Sequence, residues 1–327
     1  MTTRVLSGMQ PSGLMHLGNL LGAVENWKTL QSQHECFFFV ADWHALSTNY
    51  ADTSRLKDFT QELLIDWLAA GIDPNRATVF IQSSVPEHAI LHLLLSMIIP
   101  IPWLERNPTY KEKQEEIRER DLSTYGFLGY PVLQSADILL YKPDFVPVGK
   151  DQLPHLELTR ELARRFNSLY TPVFPEPKEH LTKFPKVLGT DGRKMSKSYG
   201  NTINVSDTET EVRQKLKTMV TDPARIRRTD KGNPDVCSVY DFHKIFSSEN
   251  VIKQVDNDCR TAAIGCIDCK RQVADAMVER FSPMWERRAT LIAHPGQTKE
   301  IVESGRQRAS ALASKTMTEV KDAMKIL

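Results

Sequence analysis

Apolar positions in the first half of the chain follow two alternating rhythms. Val5-Leu6-Ser7, residues 36–41, Ala77–Ile81 and Phe145–Val148 are short β-branched or aromatic runs that predict strands. The run over 36–41 is apolar at nearly every position, as a strand covered on both faces must be. Between the runs the spacing turns helical. One helix is expected over 19–33. A second carries Leu56, Phe59, Leu63, Leu64, Trp67 and Leu68 on one stripe, with Gly71 placed to cap its end. A third spans 86–99 and opens on a proline, whose missing N–H costs nothing in a first turn. Strand and helix in strict alternation predict an α/β fold, a Rossmann-type doubly wound parallel sheet. Past residue 200 the strand signal fades. Val212, Leu216, Met219 and Val220 recur behind Ser206-Asp207, a candidate cap. Val302, Ala309, Leu312, Val320 and Ala323 line a last helix over 299–325. The expected division is an α/β domain over 1–199 and a mostly helical domain over 200–327.

Composition narrows the class without naming a function. In 327 residues, 42 Lys and Arg face 41 Asp and Glu, for a net charge of +1, and 41% of residues are hydrophobic. That apolar content can bury a core, so disorder is excluded as the dominant state, and the balanced charge excludes a histone-like coat for nucleic acid. The most apolar stretch, 89–103, is interrupted by His92, Ser96, Pro100 and Pro102 and is too short to cross a bilayer about 30 Å thick. No apolar signal-peptide core follows Arg4. A cytoplasmic enzyme that does not enter membranes is expected.

Candidate chemistry begins where the first strand meets the first helix. Ser7-Gly8-Met9-Gln10-Pro11-Ser12-Gly13-Leu14-Met15-His16-Leu17-Gly18-Asn19 is rich in small residues and ends at a helix start. Open parallel sheets bind ligands beyond the carboxyl ends of their strands, and helix N-termini favour phosphate. A plain Gly-rich turn with a surface histidine would look similar. A second candidate is Gly192-Arg193-Lys194-Met195-Ser196-Lys197-Ser198, two lysines three apart with hydroxyls beside them, suited to following a polyphosphate. No G-x-x-x-x-G-K-[ST] element is present, so this is not a P-loop. Third, Tyr130, Gln134, Asp137 and Tyr141 fall at i, i+4, i+7 and i+11 in an otherwise apolar helix, forming one polar stripe that should face inward. A carboxylate there needs a partner. Either it completes a structural network, or it accepts a hydrogen bond from a ligand such as an indole N–H.

Taken together, these residues resemble the class I aminoacyl-tRNA synthetases. His16-Leu17-Gly18-Asn19 is similar to their HIGH signature, with Asn19 in the last place as in the tryptophan members, and Lys194–Ser198 matches KMSKS letter for letter. The resemblance implies ATP and Mg²⁺ as reaction partners, with tryptophan and tRNA(Trp) as substrates and a homodimer as the assembly. It implies catalytic roles for His16, Asn19, Lys111, Lys194 and Lys197. ATP contacts would come from Gln10, Pro11, Ser12, Gly18 and Asn19, from Gly149, Lys150 and Asp151, and from Val187 and the run Lys194, Met195, Ser196, Lys197, Ser198. In the family's Gly-Glu-Asp-Gln pattern Lys150 replaces the Glu. Tryptophan would contact Asp137, Tyr130, Gln134, Gln152 and Leu6. Tyrosine is the rival substrate, but Leu6 and Gln10 stand where the tyrosine enzymes carry a Tyr and an Asp.

Cysteines add one more feature. Cys237, Cys259, Cys266 and Cys269 are spaced C-x21-C-x6-C-x2-C. Four thiolates can hold a [4Fe–4S] cluster or Zn²⁺, and a single short C-x-x-C pair favours the cluster. The resemblance points to the tryptophan enzymes that carry one, as a structural staple. From Arg193 to Lys231 ten Lys and Arg meet five Asp and Glu, so this part of the chain offers a face for RNA phosphates.

Overall fold

The computed structural model describes residues 3–107, 123–181 and 187–326. Its centre is a five-stranded, all-parallel sheet in the order β3-β2-β1-β4-β5, with β1 Arg4–Met9, β2 Glu35–Val40, β3 Ala77–Ile81, β4 Phe145–Val148 and β5 Lys178–Leu181. Strand order reverses between β1 and β4, which makes the crevice beyond their carboxyl ends the expected ligand site of such a sheet.

The alternation of β2 explains why both faces are covered. Cys36, Phe38 and Val40 join one apolar cluster with Val5, Trp27 and Trp67, while Phe37, Phe39 and Ala41 join a second with Leu6, Phe80 and Tyr141. Trp27 stacks on Phe38 with ring centroids 4.6 Å apart.

The expected strands appear where the pattern places them, extended by a residue or two at β1. Helix α1 covers 17–30, two residues earlier than its apolar spacing suggests, and is π-helical over Leu20–Val24. Helix α2 is Asp42–Asn49, and α3 is Leu56–Ala70, ended by Gly71 in the left-handed region at φ 109°. Helix α4, Glu87–Ser96, is shorter than the expected 86–99. Helix α5 is Tyr130–Tyr141 and α6 is Leu153–Leu169. Strand β5 gave no apolar signal because it is the sheet's edge and all four of its residues are exposed.

Helices follow: α7 Glu209–Thr218, α8 Ser238–Phe246, α9 Glu249–Arg260, α10 Cys266–Ala293 and α11 Pro295–Met324. The cap of α7 is Thr208, in a capping box with Glu211, rather than Ser206-Asp207. Asp207 instead accepts the backbone N–H of Asn204 at 2.8 Å. Packing crosses the boundary at residue 200. Val212, Leu216 and Phe242 share a cluster with Val5 and Phe38, and Ala309, Ala313, Met317 and Val320 of α11 join the cluster of Leu6 and Phe80. On α10, Arg288 Nε donates to the buried Asp66 of α3 at 2.8 Å. Among the described residues no helix is long and apolar enough to cross a membrane.

Candidate active site

The loop after β1 and the lysine loop meet. Leu17 N donates to Ile203 O at 2.9 Å and Val205 N to Met15 O at 2.8 Å, so the segment just past the lysines is stitched to the segment holding His16. Lys197 Nζ donates to Gly13 O at 3.1 Å and to Ser12 Oγ at 3.3 Å. Burial pushes the Lys197 ammonium down to about 8. His16 caps α1, and its backbone N–H donates to Asn19 Oδ1 at 3.3 Å. Burial, then Lys197, then Lys194, lower the His16 imidazole to about 4, so it is neutral near pH 7. Its Nδ1 is buried without a hydrogen-bond partner, an orphan that a bound ligand can satisfy. A side chain at Gly18 would stand 2.9 Å from the His16 ring, so only glycine leaves that ring its place.

Asn201 holds the lysine loop in shape. It is 2% exposed, accepts Ser196 N at 2.9 Å through Oδ1, and donates through Nδ2 to Asp191 Oδ1 at 2.7 Å and Lys194 O at 3.2 Å. Val187 and Met195 are buried beneath, joined by Met195 N to Val187 O at 2.9 Å. Ser196 Oγ lies 3.3 Å from Ser198 Oγ.

On α5, the polar stripe faces inward. Asp137 is 1% exposed and accepts from three protein donors: His44 Nε2 at 2.7 Å on Oδ2, and Gln82 Nε2 at 2.7 Å and His88 Nδ1 at 2.6 Å on Oδ1. His88 Nε2 in turn faces the Tyr141 hydroxyl at 2.8 Å. Burial works to raise the Asp137 carboxyl, but the charges and hydrogen bonds of His44 and His88 overrule it and hold it at about 2. An ionised carboxylate offers about four acceptor positions, so one remains on the Oδ2 side for a further donor. The network reading of the stripe is what these contacts show: Asp137 is held by His44, Gln82 and His88.

Tyr130, on the same helix, meets His155 Nε2 at 3.0 Å, and His155 Nδ1 meets Asn107 Nδ2 at 3.1 Å. Leu6 is buried under α5 in the cluster of Phe37 and Tyr141, while Gln134 and Gln152 are half-buried. Gly149 follows β4 at the switch point, Lys150 is exposed beside it, and Lys150–Gln152 form a 3-10 turn that carries the Asp151 backbone. Gln10 and Pro11 continue from β1. Lys111 lies outside the described residues.

His44, Gln82, His88 and Asn201 carry no motif in the sequence. The available signal is indirect: a buried carboxylate demands donors, and the carboxyl ends of β2 and β3 are where a doubly wound sheet supplies them. Gln82 directly follows β3, and His44 and His88 sit in the opening turns of α2 and α4.

The four clustered cysteines come together from three helices: Cys237 caps α8, Cys259 closes α9, and Cys266 and Cys269 open α10. All are free thiols. Burial, then the other three cysteines, push the Cys269 thiol up to about 12. Gly232 lies against Cys259, where a Cβ would stand 2.6 Å from Sγ, and Arg225 Nη1 points at that sulfur from 3.8 Å. Among the described residues no three His, Cys, Asp or Glu stand close enough to hold a single metal ion.

A parallel sheet with a His-x-Gly-Asn helix start and a lysine loop at one switch point defines a class I synthetase. The family of class I tRNA synthetases for tryptophan and tyrosine (W and Y) matches residues 1–282, and the chain belongs to it. Among curated proteins the chain is similar to the tryptophan–tRNA ligase of Thermotoga maritima, 52% identical over 99% of each chain, and to that of Aquifex aeolicus, 43% identical over 99% of this chain and 100% of the other. Its structure is similar to tryptophanyl-tRNA synthetase from Campylobacter jejuni solved with ADP and tryptophan, at a TM-score of 0.91 and 32% identity over 99% of this chain and 100% of that one. A tyrosyl-tRNA synthetase from Archaeoglobus fulgidus, at a TM-score of 0.65 and 22% identity, shares the fold.

Proposed function

We propose that this protein is a tryptophan–tRNA ligase. It activates tryptophan with ATP and transfers it to tRNA(Trp). The observation that carries the reading is the meeting of the two signature loops, Lys197 on the backbone of Gly13, at the switch point of the sheet. In the first step a carboxylate oxygen of tryptophan attacks the α-phosphorus, the bond to the bridging oxygen of the β-phosphate breaks, and pyrophosphate leaves. In the second, a hydroxyl of the terminal ribose of the tRNA attacks the tryptophanyl carbonyl and AMP departs.

No side-chain nucleophile is needed, so the chain contributes position and charge. The loop of Gln10, Pro11, Ser12, Gly18 and Asn19 and the turn of Gly149, Lys150 and Asp151 hold the nucleotide. Neutral His16 donates or accepts at its orphaned Nδ1 without adding charge. Lys194 and Lys197 neutralise the phosphates, with Lys111, Val187, Met195, Ser196 and Ser198 completing the site. Bound Mg²⁺ supplies charge stabilisation on the phosphate oxygens. Asp137 takes the indole N–H, and Leu6, Tyr130, Gln134 and Gln152 shape the rest of the pocket.

Residues 1–199 act as the catalytic part and 200–327 as the helical, tRNA-contacting part, with α11 returning to the sheet. The chain works as a cytoplasmic homodimer. The four cysteines hold a [4Fe–4S] cluster as a structural staple, with Zn²⁺ the alternative. What supports a shared site is that the four thiols lie near enough to act on one another electrostatically. Arg225, Arg227 and Arg228 line a cavity next to Cys266; the exposed Arg227 and Arg228 offer charge to RNA phosphates, while the buried Arg225 donates to Arg228 O and Ile264 O.

ATP–pyrophosphate exchange with each amino acid in turn tests the activity. Exchange with tryptophan and charging of tRNA(Trp) are expected. Exchange without charging would support a tRNA-independent adenylate-forming ligase, and exchange with tyrosine alone would move the substrate. A visible absorbance shoulder in the purified protein separates the iron–sulfur cluster from zinc.

A further inference from the structure

The lysine loop is clasped by two residues that flank it and that neither signature includes. Arg193 immediately precedes Lys194–Ser198, and Tyr199 immediately follows it. The Arg193 guanidinium lies over the Tyr199 ring, 4.1 Å from its centroid. On its other side Arg193 pairs with Asp191, Nη2 to Oδ2 at 2.6 Å and Nε to Oδ2 at 2.7 Å. Asp191 Oδ1 accepts both the Arg193 backbone N–H at 3.0 Å and Asn201 Nδ2 at 2.7 Å. Gly189 N donates to Arg193 O at 2.7 Å, and Thr190 N to Asn201 O at 3.0 Å. A closed chain of contacts thus runs from Asp191 through Arg193 and Tyr199 across the mouth of the five-residue loop, while Asn201 closes it below.

Lys197 and Tyr199 share one 3-10 turn, Lys197–Tyr199, ended by Gly200 in the left-handed region. Holding Tyr199 therefore holds the turn that aims Lys197 at Gly13 and Ser12. The clasp therefore holds Lys197 beside Gly13 and Ser12, in the loop to which the nucleotide is assigned above. Pre-ordering of this kind strengthens binding by reducing what must be ordered on association.

We infer that the Arg193–Tyr199 stack, anchored by Asp191, is a positioning device for ATP: it pre-orders the lysine loop and sets the affinity for nucleotide without taking part in the chemical step. The inference rests on the ATP reading of this loop given above.

The test is ATP–pyrophosphate exchange at saturating tryptophan, with wild type, Tyr199→Ala, Tyr199→Phe, Arg193→Met and the double variant. Wild-type exchange is the control: if it is missing, the proposed function fails and the clasp is not what failed. Given wild-type exchange, Tyr199→Ala and Arg193→Met should each raise KM for ATP roughly two- to five-fold, the factor a cation–π contact at an exposed site is worth. They should leave kcat and the KM for tryptophan unchanged, as expected when uniform binding is lost. Tyr199→Phe keeps the ring face and should retain wild-type KM for ATP. The double variant should be no worse than either single one, because both break the same contact. A structural role alone would lower stability and move both substrates' KM values together. An unchanged KM for ATP, a fall in KM, a drop confined to kcat, or additive effects in the double variant would each overturn the inference.

Discussion

The proposed amino-acid pocket around Asp137 and the lysine loop are built in opposite ways. In the pocket, Asp137 is 1% exposed and fixed by three donors from three different elements, each in turn held in the core. In the loop, Arg193, Lys194 and Tyr199 are exposed and tied to neighbours in sequence, while the half-buried Lys197 reaches a distant segment, at Gly13 and Ser12. The contrast matches the two tasks proposed above. Reading an indole N–H needs an acceptor whose direction does not change, because selectivity comes from leaving a wrong substrate's partner groups unpaired. Following a triphosphate that loses its last two phosphates needs groups that can move with it.

The largest expected break is in the pocket. Asp137→Ala leaves His44, Gln82 and His88 facing a void in the core. Removing one side of such a buried pair should cost about 3–5 kcal/mol of stability, read from urea denaturation, and abolish exchange with tryptophan. An unaltered unfolding midpoint would show that the network is not the anchor its geometry implies. Acting on the loop gives the reverse pattern. Lys197→Ala should lower exchange by about 10²–10³-fold, the usual loss for one preorganised charge-stabilising donor, while the melting temperature stays near wild type.

A smaller effect is expected from pH. The Lys197 ammonium sits at about 8, so it is charged at pH 7 and loses its proton as pH rises through that value. The protonated form pairs with phosphate, so kcat/KM for ATP should fall about tenfold per pH unit above the break. Lys197→Arg should remove the break, since Arg stays charged. Asp137 carries the opposite sign. Its carboxyl is depressed to about 2, so its contribution to stability is present above an ordinary carboxyl pKa near 4 and disappears as pH falls through about 2. Acid titration of unfolding therefore separates the two regions.

Much of this was legible before the structure. The apolar runs that became β2, β3 and β4 mark buried strands, including β3 at the covered edge of the sheet, and the stripe of Tyr130, Asp137 and Tyr141 marks an inward helical face. Strand β5 was not legible, because an exposed edge strand needs no apolar residues. Nor were the partners of Asp137, since His44, Gln82 and His88 lie 93, 55 and 49 residues away along the chain and meet it only through the sheet order. Helix α11 reads as part of a separate helical domain. Its apolar stripe does not specify what it packs on, and it packs on the cluster of Leu6 and Phe80.

The central claim is that the remaining acceptor position of Asp137 reads the indole N–H. Exchange kinetics with tryptophan and with its analogue carrying sulfur in place of the ring N–H test it most directly, because shape is nearly kept while the donor is lost. For the sulfur analogue kcat/KM should be at least about 100-fold lower, with KM for ATP unchanged. Equal kcat/KM for the two would contradict it.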